Sequence, residues 1–179
     1  MLVHDVVRAA RLDRSAFQRL AADASRTRGG LAVVVAVAVL STLGTGVAGL
    51  LPDDWFLQPH APLTLAGALR HGGAHLVGFP LLSGVAYLTA FGLFGVDTGF
   101  LAVIRSFGIA YAPMGLGGLV FIPYVGAPAS VLSVPWTAAT MTVALSAVTR
   151  LSTGQAAACV GWAFVLMTLG FYLSGVVPG

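Results

Sequence analysis

The sequence predicts an all-α membrane protein, a bundle of five transmembrane helices preceded by an amphipathic helix at the membrane surface. Of the 179 residues, 58% are hydrophobic and only 8% are charged. The mean hydropathy is +0.93. Because soluble domains carry about 25% charged residues, this chain has too few to cover a globule in water. Its apolar residues form five runs, each near the roughly 20 residues that cross a bilayer core.

Residues 1–28 form a basic, amphipathic segment that we expect to be cytoplasmic. Between Leu12 and Ala24, apolar residues recur at the spacing of one helix face, and polar residues fall mostly on the other side. Such a helix is typical of the headgroup layer, where arginines contact anionic lipid. Docking on a partner protein is the alternative. The side chains expected at the lipid surface are Arg14, Phe17, Arg19, Leu20, Arg26 and Arg28.

Residues 29–179 form the predicted transmembrane domain. Gly29 and Gly30 permit a sharp turn from the N-terminal segment into the membrane. Polar or Pro-Gly breaks separate the later spans, and the longest break covers residues 52–73. The predicted spans are Leu31–Leu51, Ala74–Phe94, Phe100–Ile122, Ala127–Thr149 and Gln155–Val177.

Two of the breaks contain candidate helix caps. Thr64 is placed to cap a short surface helix from Leu65 to His71. Asp97 and Thr98 are each candidate N-caps for the third span. Both predictions depend on short polar side chains that accept hydrogen bonds from the first free backbone amides of a helix.

The distribution of arginines predicts the orientation of the bundle. With a cytoplasmic N-terminus, the inner side holds eight arginines and the outer side holds one, Arg70. Cytoplasmic loops carry an excess of basic residues, so we expect the N-terminus inside and the C-terminus outside, in a multi-pass protein of the cell membrane. The net charge of +3 is explained by this topology, and we expect no nucleic-acid binding.

The stretch from Ile104 to Trp136 contains the most specific features. Arg105 is a charge within the third span, which makes it a functional candidate by default. Its possible partners are a lipid phosphate, an anionic substrate or Asp97, and the structural alternative is an arginine that snorkels to the headgroups. Pro113 predicts a kink in the same span. A broken helix can build a transport site, but packing geometry is the favoured interpretation.

This stretch resembles the Yip1 family of five-span membrane proteins, in a short prokaryotic form. Residues 105–113 follow the pattern Arg-x-x-Gly-x-Ala-x-Ala-Pro. The resemblance implies a polytopic helical bundle with a cytoplasmic N-terminus. In eukaryotic members it also implies small GTPase partners, a role that depends on a longer N-terminal region than residues 1–28. The residues that match the family motif are Arg105, Gly108, Tyr111, Pro113, Pro123, Gly126 and Trp136.

His71 and His75 are weak candidates for metal binding. They are four residues apart, so on a helix both imidazoles would share one face. The acids of the same polar break, Asp53 and Asp54, lie on the same predicted side. The glutamate of a His-Glu-x-x-His site is missing, and Gly72–Gly73 makes the intervening helix doubtful. We therefore predict no metal site.

The sequence indicates no catalytic site. Ser83 lies in a span, but an intramembrane serine protease needs a histidine on a later helix, and every histidine is at or before position 75. Phosphate-binding glycine loops and Cys-x-x-Cys motifs are absent from the sequence. We expect neither enzymatic activity nor a cofactor, and we interpret Cys159 as a helix-packing residue.

The predicted function is a non-enzymatic scaffold or adaptor that organises membrane protein partners or bilayer shape. Its expected partners are the lipid bilayer and, within the membrane, another protein or a second copy of the chain. A small oligomeric channel or transporter that uses Arg105 and the Pro113 kink is one alternative. A structural subunit of a larger membrane complex is another. The spans have no acidic residue in their interiors, which argues against proton- or sodium-coupled transport.

Overall fold

The computed structural model describes residues 2–51 and 64–173, and within these residues every regular element is helical. Among the described residues, two 3₁₀ helices, Ala24–Arg26 and Ala112–Phe121, accompany the α-helices. In the part of the chain that the structure describes, five helical segments are long and apolar enough to cross a membrane. This confirms the predicted all-α fold with five spans. The α-helices are α1 (Leu2–Ala10), α2 (Arg14–Ala22), α3 (Thr27–Ala48), α4 (Leu65–Phe94), α5 (Phe100–Ala110), α6 (Gly126–Thr149) and α7 (Thr153–Leu173).

The first span begins earlier than predicted. Helix α3 starts at Thr27, so Gly29 and Gly30 lie inside it and do not form a turn. The chain turns instead at Asp23, whose side chain accepts a hydrogen bond from the Ser25 backbone amide. A side chain at Gly30 would meet the Arg105 carbonyl, because a Cβ there would lie 3.0 Å from that oxygen. Gly30 therefore serves a helix contact.

The second span is longer than predicted. The expected surface helix and the second span form one continuous helix, α4, of 30 residues. Thr64 does cap it, since its hydroxyl accepts a hydrogen bond of 3.1 Å from the Gly67 amide. Gly72 does not break the helix. It is buried against α3, where a Cβ would lie only 1.7 Å from the Thr42 hydroxyl.

The turn before α5 differs from expectation. Asp97 and Thr98 do not cap α5, whose N-cap is Gly99 without a side-chain hydrogen bond. The Thr98 hydroxyl donates instead to the Val148 carbonyl at 3.1 Å, which ties this turn to the end of α6. Before α7, Ser152 and Gln155 form a reciprocal capping box with hydrogen bonds of 3.0 and 3.2 Å.

The third span consists of two kinds of helix. Helix α5 ends at Ala110, and the 3₁₀ helix follows with Pro113 in its first turn. Runs of 3₁₀ helix beyond 3 or 4 residues are uncommon, and this one has 10 residues. At their different rises per residue, the two parts together extend about 35 Å, enough to span the hydrocarbon core. The break predicted at Pro113 is present, but the chain beyond it is more extended than an α-helix.

Helices α3 and α6 hold the bundle together. Helix α3 packs against α4, α5 and the 3₁₀ helix, whereas α6 packs against the 3₁₀ helix, α5, α7 and α2. Helix α7 contacts α4 and α6. The largest fully buried side chains include Phe17, Leu82, Phe107, Tyr111, Met141 and Leu145. Because Phe17 belongs to α2, the N-terminal segment is part of the packed core.

Candidate functional site

Arg105 fastens α2 to α5. Its Nη2 donates a hydrogen bond to the Ala21 carbonyl rather than to Asp97. Ala21 lies in the last turn of α2, where carbonyls lack intrahelical partners and the helix dipole attracts a cation. The Ser106 hydroxyl on α5 lies 3.4 Å from the carbonyl of Phe17, which is on α2 like Ala21. Arg105 therefore holds the N-terminal segment against the third span.

The apolar face of α2 is turned into the protein. Phe17 is 0% exposed and Leu20 is 4% exposed, and α2 packs on α5 and α6. The expectation that these two side chains lie at the lipid surface is therefore wrong, because α5 and α6 already cover the face that lipid would occupy. Amphipathic spacing alone does not distinguish these two environments.

The arginines of the predicted lipid surface separate into two groups. Arg14 donates to the Ser146 hydroxyl on α6 at 2.9 Å. Arg26 forms ion pairs of 2.9 Å with Asp5 and 3.1 Å with Asp23. These two guanidinium groups are committed to contacts within the protein. Arg19 and Arg28 are exposed, as is Arg11, and Arg14 is also exposed despite its hydrogen bond.

The glycines of the motif allow close approach between backbones. A Cβ at Gly108 would lie 2.6 to 2.7 Å from the backbone atoms of Gly30 on α3. A Cβ at Gly126 would lie 2.5 Å from the carbonyl oxygens of Leu119 and Val120. Real Cβ atoms do not approach backbone atoms so closely, so these positions require glycine in the observed packing.

The other motif residues shape the third and fourth spans. The Trp136 Nε1–H donates a 3.0 Å hydrogen bond to the Ala10 carbonyl, at the end of α1. Pro123 begins the tight turn before α6, in which Tyr124 has a positive φ of 61°. The Tyr111 side chain is buried, and its hydroxyl lies 3.0 Å from His75 Nδ1 on α4. The motif thus connects α1, α4 and α6 with the third span.

A cavity of about 410 Å³ lies between α3, α4, the 3₁₀ helix and α6. His71 and His75 both line it, as predicted for two residues on one helix face, and their ring centroids are 5.6 Å apart. Sequence reasoning missed the other polar or sulfur-containing side chains of this cavity because they lie in apolar spans far apart in sequence. They are Thr45, Met114, Ser130 and Ser133.

The cavity contains donors and acceptors that are only partly used. The Ser133 hydroxyl lies 2.7 Å from the Ser130 carbonyl and 3.7 Å from Met114 Sδ. The Ser130 hydroxyl is buried without a hydrogen-bond partner among the described atoms. Within residues 2–51 and 64–173, no three His, Cys, Asp or Glu side chains gather in a metal-binding group. The outer-side acids Asp53 and Asp54 lie outside the described residues.

The turn between α1 and α2 is held by an ionised carboxylate. Asp13 accepts hydrogen bonds from the Ser15 amide and hydroxyl and from Arg8. The Ser15 hydroxyl, followed by Arg8, lowers the pKa of Asp13 from 3.8 to about 2. A lowered carboxyl pKa stabilises the fold above pH 3.8, and this contribution is lost as the pH falls toward 2.

We expect an NMR titration of the Asp13 carboxyl carbon in micelles to give a midpoint near 2. The substitution Ser15→Ala should raise this midpoint toward the ordinary value because it removes the hydrogen bond that lowers the pKa of Asp13 most. The variant Asp13→Asn lacks this carboxyl group, so its spectrum identifies the Asp13 signal by its absence. A midpoint for Asp13 that Ser15→Ala leaves unchanged would show that this turn does not hold the carboxylate.

A family model described as the Yip1 domain matches residues 12–174 of the 179-residue chain. The matched region runs from the turn before α2 through α7, and it includes every residue of the Arg105–Trp136 motif. Comparisons with curated proteins gave no match, and neither did comparisons with solved structures.

Proposed function

The chain belongs to the Yip1 family of membrane proteins with several membrane-spanning helices, and from this premise we propose that it is a non-enzymatic scaffold. In this proposal it resides in the cell membrane and binds transmembrane helices of partner proteins along α7. The exposed Arg19 and Arg28 contact anionic lipid at the membrane surface.

The observation that supports the scaffold most directly is the peripheral position of α7. Large apolar side chains on this helix are half exposed, among them Trp162 at 53% and Val165 at 55%. A groove of about 640 Å³ lies between α4 and α7, and another of about 540 Å³ adjoins α6 and α7. In a bilayer, such grooves are covered by lipid chains or by neighbouring helices.

Each groove contains a glycine that allows close approach by another helix. Gly92 lines the α4–α7 groove and Gly161 lines the α6–α7 groove. A Cβ at either position would meet nothing within 4 Å. Helix association in membranes depends on close packing at small residues, and the protein's own α3–α5 crossing at Gly30 and Gly108 has this character. We therefore propose a transmembrane helix as the occupant.

The environment of Arg105 favours a scaffold over an anion transporter. Its guanidinium bonds to the Ala21 carbonyl, so an anion that passed along the third span would have to compete with this contact. The 3₁₀ helix is also tightly packed, because a Cβ at Gly44 would lie 1.9 Å from the Gly118 carbonyl oxygen. The Pro113 break therefore adjoins a close helix contact with α3.

A photo-crosslinking amino acid at position 161, in native membranes, tests the scaffold. We expect a discrete adduct with another membrane protein or with a second copy of the chain. The same probe at Leu43, an exposed position on α3, is the matched control and should give lipid adducts alone. Lipid adducts alone at position 161 would contradict the proposal. So would anion flux through reconstituted vesicles that is lost in Arg105→Leu, because that result supports the transporter.

A further inference from the structure

We propose that the cavity between α3, α4, the 3₁₀ helix and α6 binds a soft monovalent metal ion, Cu(I), through His71, His75 and Met114. All three side chains line the same cavity. The inference changes the sequence-based prediction of no metal site, which rested on the missing glutamate of a His-Glu-x-x-His site and on a helix break at Gly72–Gly73. The structure has a continuous helix through these glycines.

The two imidazoles have the spacing that one metal ion requires. A metal–nitrogen bond is about 2.1 Å, so two imidazoles on one ion have ring centroids roughly 5 to 6.5 Å apart. The His71 and His75 centroids are 5.6 Å apart with an interplanar angle of 88°. His75 uses Nδ1 for its contact with Tyr111. Its Nε2 is thus the nitrogen available to a metal, while the tyrosine fixes the ring orientation.

The third ligand determines which metal is preferred. Met114 is 8% exposed and lines the cavity with its polarisable thioether next to Ser133. Thioethers are soft ligands that bind Cu(I) and contribute little to sites for Mg²⁺, Ca²⁺ or Mn²⁺. A site with two imidazoles and one thioether is therefore suited to Cu(I). At about 410 Å³ the cavity is large enough to hold the ion.

The charge of the site favours a monovalent ion. The described residues that line the cavity supply neither a carboxylate nor a thiolate. A divalent ion with neutral ligands would bring two uncompensated charges into a poorly solvated site. The Born cost of moving an ion out of water rises with the square of its charge. This free-energy cost is therefore about four times as large for a divalent ion as for a monovalent one. Zinc sites in proteins usually avoid this cost with cysteine or carboxylate ligands.

Cu(I) titration of the full-length protein in detergent, under reducing conditions and against a chromogenic Cu(I) chelator, tests the proposal. A Cys159→Ala background removes the free thiol, which lines the α4–α7 groove and would compete for copper. We expect one Cu(I) per chain. Met114→Leu, which preserves volume, and His75→Leu should each weaken binding on the order of tenfold or more. Tyr111→Phe should weaken it about tenfold, because it releases the His75 ring.

Two matched controls separate the site from general copper binding. Met141→Leu changes a buried methionine that does not line the cavity, and His4→Gln changes an exposed histidine. Neither should alter the affinity. X-ray absorption should show a sulfur ligand to copper that disappears in Met114→Leu and persists in Met141→Leu. The proposal is overturned if Cu(I) does not bind, if Met114→Leu binds it equally well, or if Zn(II) binds more tightly than Cu(I).

Discussion

Gly108→Leu is expected to abolish the native packing of α3 against α5. A Cβ at position 108 would already lie 2.6 to 2.7 Å from the backbone atoms of Gly30. These atoms belong to a second helix and cannot rotate away as a side chain would. Overpacking usually costs about 1 to 3 kcal/mol. Because the obstacle here is backbone, we expect a loss of about 4 kcal/mol or more, a value typical of severe core damage.

Thermal unfolding in mild detergent measures this effect, and Gly84→Leu is the matched control. Gly84 also lies inside a long transmembrane helix, α4, but a Cβ there would meet nothing within 4 Å. Both substitutions add the same side chain to a helical glycine, so intrinsic helix propensity changes equally. We expect Gly84→Leu to unfold near the wild-type temperature. Equal unfolding temperatures for the two variants would mean that α3 and α5 do not cross closely at Gly108.

The five spans were predicted well because a segment surrounded by lipid must be mostly apolar, and this composition is visible in the sequence. Hydropathy does not, however, determine where a helix ends once it leaves the hydrocarbon core. Helix α4 therefore extends through Arg70 and His71, which were predicted to form a separate surface helix. Thr64 was correctly identified as its cap, since a cap acts within one helical turn and can be predicted from local sequence.

Glycine was the least predictable residue type. It both interrupts helices and allows helices to pack closely, and the two uses look alike in one sequence. Gly29–Gly30 and Gly72–Gly73 were interpreted as breaks, yet both pairs lie inside helices. What decides the role of Gly30 is Gly108 on another span, and what decides that of Gly72 is Thr42 on α3. Such pairings depend on tertiary structure.

In the candidate sites, too, features within one helix were predictable, whereas contacts between segments far apart in sequence were not. The shared face of His71 and His75 follows from their spacing and was predicted. Met114 and Ser133, which lie in two other elements, join them only because four helices meet at the cavity. Arg105 was identified from its position inside a span, but its actual acceptor is the Ala21 carbonyl. Because every residue has a backbone carbonyl, the sequence does not indicate which of them accepts the hydrogen bond.

Phe17→Asp is expected to detach α2 from the bundle while the five spans remain folded. Phe17 is fully buried where α2 meets α5 and α6. Removing a buried phenylalanine side chain costs about 3 to 5 kcal/mol, and the carboxylate would need to be hydrated. A nine-residue helix is only marginally stable alone. Its backbone amides should therefore lose protection when it undocks.

Hydrogen exchange followed by mass spectrometry of residues 14–22 measures the undocking. It is done with the full-length protein in mild detergent. We expect amide protection in α2 to fall at least about a hundredfold, as a loss of 3 kcal/mol or more implies. Gln18→Asp is the control, because it places the same charge one position away, on the exposed side of α2. The amide protection of α2 in the Gln18→Asp variant should resemble that of the wild type. Equal exchange in the two variants would mean that Phe17 does not anchor α2 to the protein. In that case lipid contact would again be the better explanation of the amphipathic pattern in α2.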